Sequence, residues 1–176
     1  MRIFSVLILL LWPIVAGCSD EQTQTKDKES FPTEEAALTH FIENESPRDD
    51  IERVQTSQGS ELFIVRSGNH QYSVYGKANE NDEHSVEKLT ATLSLHNTNS
   101  GGAEFTSSRG EEYTFLVAKK QEGLATTTKP QNEFHPIFSD DAFLALSSGH
   151  NLDKAQSGEA TNVIQATETL QDDSSR

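Results

Sequence analysis

The sequence predicts an α+β fold, with one N-terminal amphipathic helix followed by a mainly antiparallel β-sheet domain of about six to eight strands. Three observations carry this. A single stretch, Thr33 to Glu45, has apolar residues at helical spacing. Beyond it the apolar period falls to two. The period-two runs are separated by short Gly- and Asn-containing turns, which favour antiparallel pairing over crossovers that need a helix.

In the helix, Thr33 is a candidate N-cap, and Glu34 and Glu35 stand in the first turn, where the helix dipole favours negative charge. Leu38, Phe41 and Ile42 follow at helical spacing with Ala37 beside them, and Pro47 ends the element. Gln58-Gly59 marks a turn that would pair Ile51–Ser57 with Ser60–Arg66, and Gly68-Asn69 separates that run from Gln71–Gly76. Lys88–His96 gives the clearest alternation: Leu89, Ala91, Leu93 and Leu95 on one face, and Thr90, Thr92 and Ser94 on the other. Asn97–Gly102 forms a turn cluster, and Arg109-Gly110 joins Glu104–Ser107 to Glu112–Lys119 as a hairpin. Gln121–Glu133 is polar and reads as a long loop, while Ala142–Leu146 and Thr161–Ala166 supply the last strands.

Composition limits the partners. The 176 residues hold 28 Asp and Glu against 14 Lys and Arg, a net charge of −14, and only 34% are apolar. One modest domain with polar ends fits these numbers. The acidic balance argues against nucleic acid, whose phosphates need a basic footprint. The single cysteine excludes internal disulfides and Cys-rich metal sites.

The N-terminal segment MRIFSVLILLLWPIVAGCSD has a basic start, an apolar run from Ile3 to Val15 and small residues at its end, the layout of a secretory signal peptide. As a helix that run would reach about 20 Å, short of the roughly 30 Å hydrocarbon core of a bilayer. Val15-Ala16-Gly17-Cys18 resembles a bacterial lipobox, and the motif uses the chain's only cysteine. The resemblance to lipoprotein precursors implies an S-diacylglycerol on Cys18, cleavage between Gly17 and Cys18, and N-acylation of the new terminus. Ser19 in the following position resembles, in organisms with two membranes, lipoproteins bound for the outer one. The chain also loosely resembles small, uncharacterised lipoproteins of bacilli, in which a short helix precedes β-strands.

The expected organisation is a cleaved signal peptide at 1–17, a lipidated cysteine and flexible acidic linker at 18–31, a single β-rich domain at 32–168 and a disordered tail at 169–176. Ser19–Ser30 contains no apolar side chain and cannot offset the entropy of ordering it. As a coil it would reach about 20 Å. Loss of Arg2 with the leader leaves a net charge of −15, which repels the domain from an anionic surface. The expected location is the extracytoplasmic face of the cell membrane, with the lipid bilayer as one partner through acylated Cys18 and an unknown extracytoplasmic protein or ligand as another.

No catalytic constellation is legible. Among the six histidines no two fall at metal-ligand spacing. His135, Asp140, Asp141 and His150 form the densest cluster, which a solvated acidic loop explains better than a metal site. His40 reads as a partly exposed helix residue, and Asp49-Asp50 as a turn leading into a strand. Asn79–Glu83 reads as a hairpin loop lacking the ligand spacing of a calcium loop. Gly101-Gly102 is a lone pair rather than a phosphate loop, and no nucleophile elbow occurs. Tyr72, Tyr75 and Tyr113 fall at strand spacing, as core residues do. The expectation is therefore a non-catalytic binding domain with no cofactor and no metal. The alternative is an extracytoplasmic enzyme or metal-binding protein built from a non-contiguous His/Asp site.

Overall fold

The computed structural model describes residues 29–45, 49–120, 134–139 and 141–170. Helix α1 (Glu34–Glu45) is followed by β1 (Asp49–Thr56), β2 (Glu61–Ser67), β3 (Gln71–Glu80), β4 (Glu83–Lys88), β5 (Leu93–Ser94), β6 (Ser100–Thr106) and β7 (Glu112–Lys119). After these come β8 (His135–Ile137), β9 (Ala142–Ser148), a short helix α2 (Leu152–Gln156) and β10 (Ile164–Leu170). Every pairing is antiparallel. One sheet runs β10-β1-β2-β3-β4, with β5 also on β3, and the other runs β6-β7-β9-β8. The mainly antiparallel architecture is as the sequence predicts. The ten strands among the described residues exceed the six to eight expected, through the two-residue β5 and the three-residue β8.

The alternation along the strands divides the interior into two cores. Val54, Leu62, Ile64, Tyr72 and Val74 of the first sheet meet Phe105, Phe115, Val117, Leu144 and Leu146 of the second. The opposite face of the first sheet puts Ile51, Phe63 and Val65 under α1, where the ring of Phe41 lies 5.4 Å from Phe63 and 5.1 Å from Tyr75. The N–H of Ala36 donates to Thr33 Oγ1 at 3.1 Å, which caps the first turn of α1. At the polar end of this face Lys77 Nζ sits 2.5 Å from Glu34 and 2.8 Å from Glu61, closing α1 onto the sheet.

Three readings change on the observed fold. Lys88–His96 is not one strand: β4 ends at Lys88 and the chain kinks before β5. Leu89 N–H donates to Val74 O at 2.8 Å, and Val74 N–H then donates to the Thr90 hydroxyl at 3.0 Å instead of to a ladder carbonyl. Thr90 is therefore buried and Ala91 exposed, the reverse of the simple alternation. Asn97–Gly102 is not turn throughout, because β6 begins at Ser100. Thr169 and Leu170, placed in the tail by their polar surroundings, belong to β10, where Leu170 is opposite Ile51 and Thr169 opposite Glu52. The expected loop at 121–133 lies outside the described residues.

Val163 ties the sheets together. Its N–H donates to Leu146 O at 2.7 Å in the second sheet, and its carbonyl accepts the N–H of Ser57 at 2.8 Å in the first. The β1–β2 and β6–β7 turns meet at the same end: Glu111 accepts from Ser60 and from Ser107, and Arg109 Nη2 lies 3.1 Å from Glu111.

Candidate functional site

A charged cleft opens at the other end of the sandwich, where β1 starts and β2 and β7 finish. Its volume is about 770 Å³, and its walls are Asp50, Arg66, the Gly68–His70 loop, Lys119, Lys120 and Asp141. Strand register fixes the centre, since Asp50 is directly opposite Arg66 in the β1–β2 ladder. Arg66 donates to Asp50 Oδ2 from Nε at 2.9 Å and from Nη2 at 2.6 Å, and from Nη1 to Asp141 Oδ2 at 3.3 Å. Its guanidinium carbon also stands 4.7 Å from the centroid of the Phe138 ring. Burial disfavours the charge on Arg66, but the hydrogen bonds and attraction of Asp50 and then Asp141 outweigh it and hold its pKa above the ordinary value. The guanidinium is thus fixed in place, and its charge is answered.

The loop beside it is sharply bent. Gly68 has φ +51° and His70 φ +61°, so both occupy the left-handed region that glycine enters freely and histidine does not. His70 is held there because its carbonyl accepts the N–H of Leu95 at 2.9 Å and its Nδ1 lies 3.3 Å from the Tyr72 hydroxyl. His96 Nε2 donates to Asn69 O at 2.6 Å, pinning the loop from the other side. Burial, then Lys119 and Arg66, push the His70 imidazole below the usual histidine range, so it is neutral at pH 7.

Lys119 and Lys120 set the character of the cleft. With Arg66 they make three of the eight Lys and Arg side chains among the described residues. Arg53, Lys77 and Arg109 are answered by Glu168, Glu61, Glu34 and Glu111. Among the described residues Lys119 and Lys120 have no carboxylate partner, so three cations face two aspartates on a strongly acidic protein.

A second cavity, of about 350 Å³, lies on the outer face of the second sheet, where Thr114, Leu116, Ala145, Ser147 and Asn162 line it beside α2. Three of its polar side chains are engaged in the fold. Thr114 Oγ1 donates to Gly149 O at 2.7 Å, Ser147 Oγ to Asn151 at 3.2 Å, and Asn162 Oδ1 accepts from Leu146 and Ile164.

The residues singled out from sequence are dispersed. Gly17 and Cys18 lie outside the described residues, as does Asp140. Asp141 turns to Arg66. His135 is opposite Leu144 near the start of β9, whereas His150 follows the other end of that strand and donates from Nε2 to Phe105 O at 3.1 Å. His40 contacts Asn44 and Glu29, and Asp49 accepts from Ser67 at 2.7 Å. Asn81 and Asp82, at φ +54° and +64°, form the β3–β4 turn. Gly101 and Gly102 lie within β6. Among the described residues no three His, Cys, Asp or Glu side chains gather as metal ligands would, and no helix is long and apolar enough to cross a membrane.

The sequence signal for the cleft was small but present: Lys119-Lys120 is the only pair of adjacent cations in the chain, and it ends the most continuously buried strand. No family model, curated protein or solved structure shows a significant match to the chain.

Proposed function

We propose that this chain is a lipid-anchored, extracytoplasmic binding domain that takes its ligand in the Arg66 cleft and performs no catalytic step. The observation that carries the binding role is the pair Lys119 and Lys120, which have no carboxylate partner among the described residues and stand beside a guanidinium already clamped by Asp50 and Asp141. Lysines without a carboxylate partner among the described residues, beside a guanidinium held in one geometry, favour recognition of an anion. The anchor rests on Val15-Ala16-Gly17-Cys18 and on the apolar run before it. Two or more acyl chains hold a protein to a bilayer where one alone holds it marginally. The α+β reading, with amphipathic α1 leading the antiparallel domain, suits a compact module carried on a polar spacer. His135 and His150 stand towards opposite ends of β9, which disfavours an enzyme or metal site built on those two histidines together.

Intact-mass spectrometry of the chain extracted from its native membrane tests the anchor. A species beginning at Cys18 and carrying diacylglycerol is expected, and a Cys18→Ser variant should leave the membrane fraction. Unchanged membrane retention of that variant refutes the lipid anchor.

A further inference from the structure

The described cations fall mostly into two sets. Arg53 and Lys77 on the α1 face and Arg109 at the β6–β7 turn are paired with glutamates, whereas at the cleft Arg66 alone has carboxylate partners among the described residues. Arg66 is the only cleft cation with a planar fork, the geometry that grips a carboxylate through two parallel bonds, and both sides of that fork are taken by Asp50 and Asp141. What remains for a ligand is two compact ammonium groups on flexible stems and one imidazole. Point charges of that kind suit a phosphate, whose oxygens spread charge in three dimensions, better than a planar carboxylate. The cleft, at about 770 Å³, is much larger than a bare phosphate ion, so the anion would be one end of a larger solute.

The position of the cleft says where that solute comes from. The chain enters the domain through Phe31, whose N–H donates to His84 O at 2.8 Å, and His84 is opposite Asn79 on β3. The Gly68–His70 loop precedes Gln71 at the other end of the same strand, roughly 26 Å away at about 3.3 Å per residue. The entry end also carries Glu80, Asp82 and Glu83 around the β3–β4 turn, which disfavour an anionic surface.

We infer that the cleft binds the phosphate group of a solute from the surrounding medium, between Lys119, Lys120 and His70, at the end of the domain remote from its anchor. This rests on the binding role proposed above. Arg66 is a positioning residue that holds Asp50 and Asp141 back from the lysines, and His70 lines the cleft beside them.

The test is a titration of the full chain, in micelles of an uncharged detergent at low salt, with inorganic phosphate. Amide shifts followed by NMR should saturate and concentrate on Gly68–His70 and Lys119. Lys119→Ala/Lys120→Ala should weaken the affinity by roughly tenfold or more, since each lost charge within about 4 Å of the anion removes a large part of the attraction. Lys154→Ala, on α2, should leave it unchanged. Added sodium chloride should weaken binding as screening rises. Absence of shifts, or shifts that persist in the double variant while its remaining spectrum stays native, overturns the inference. A third arm uses vesicles containing phosphatidylglycerol: lysine-dependent sedimentation with no response to free phosphate assigns the cleft to lipid headgroups and also overturns it. Failure in these arms leaves the Cys18 mass measurement standing, so the anchor and the ligand class are judged separately.

Discussion

The backbone N–H of Phe138 donates to Glu52 Oε2 at 3.3 Å, so a carboxylate on β1 holds the turn that follows β8. Phe138 and its neighbour Ser139 have φ of +53° and +55°, an unfavourable backbone for side-chain-bearing residues. The same oxygen also accepts the Thr169 hydroxyl at 3.0 Å. Glu52 is 3% exposed, and it joins β1, β10 and the strained turn.

Glu52→Gln should stabilise the domain at neutral pH. Burial raises the Glu52 pKa, the Phe138 and Thr169 hydrogen bonds offset this only in part, and Glu168 adds to the rise. A raised carboxyl pKa means the folded state binds a proton that the unfolded state has released. Stability therefore falls as pH climbs from the ordinary glutamate value through the folded one. The amide oxygen can accept both hydrogen bonds without ionising. The gain should appear as a melting midpoint a few degrees higher at pH 7, vanishing below the ordinary glutamate pKa. A lower midpoint at pH 7 would show that the charge is needed.

Tyr113→Phe should be neutral or stabilising by up to about 1 kcal/mol. Tyr113 is fully buried, and its hydroxyl has no hydrogen-bond partner among the described residues. Its ring stacks on Phe105 at 5.5 Å, a contact that phenylalanine keeps. Urea unfolding of the two proteins side by side decides the matter, and a clear loss of stability would reveal a partner for that oxygen.

Gly102→Ala should destabilise by about 1–3 kcal/mol through overpacking. A Cβ at this position would stand 2.5 Å from Phe115 O and 2.5 Å from Leu116 Cδ2, and 3.0 Å from Leu152 of α2. The carbonyl belongs to the β6–β7 ladder and cannot yield without disturbing the pairing of Gly102 with Leu116. Thermal melting followed by circular dichroism would read the loss. An unchanged midpoint would mean that β6 can move off β7 without cost.

The His70 imidazole should titrate below the usual histidine range when followed by NMR. Burial, Lys119, Arg66 and His96 all disfavour its charge, and only Asp141 favours it. Saturating phosphate should move the midpoint upward, because an anion beside the ring favours the imidazolium. Binding near that midpoint then takes up protons, and affinity rises as pH falls towards it. A midpoint insensitive to phosphate would place the anion elsewhere.

Much of the β architecture was legible because period-two alternation and turn chemistry agree. Gln58-Gly59 and Arg109-Gly110 sit at the tips of two hairpins, with Gly59 and Gly110 both at φ +81°. Lys88–His96 misled because Thr90 carries a hydroxyl that can replace a backbone acceptor, and such a residue reads as solvent-facing in a pattern of polarity alone. The three-residue β8 and five-residue α2 are too short to show a period. The cleft assembles from strand ends at positions 50, 66 and 119 that only the register brings together. Along the sequence the histidines closest to Asp141 are His135 and His150, whereas its partner in the fold, Arg66, is 75 positions away.

The Thr169–Glu52 hydrogen bond joins residues 117 positions apart, and β10 completes its sheet only by pairing with β1. Such distant pairing makes folding slow, because the long intervening loop must close before the contact stabilises anything. A polypeptide threaded N-terminus first through a narrow channel would thus emerge with β1 still waiting for its outer neighbour. It could not lock into its finished shape until nearly all of the domain had passed.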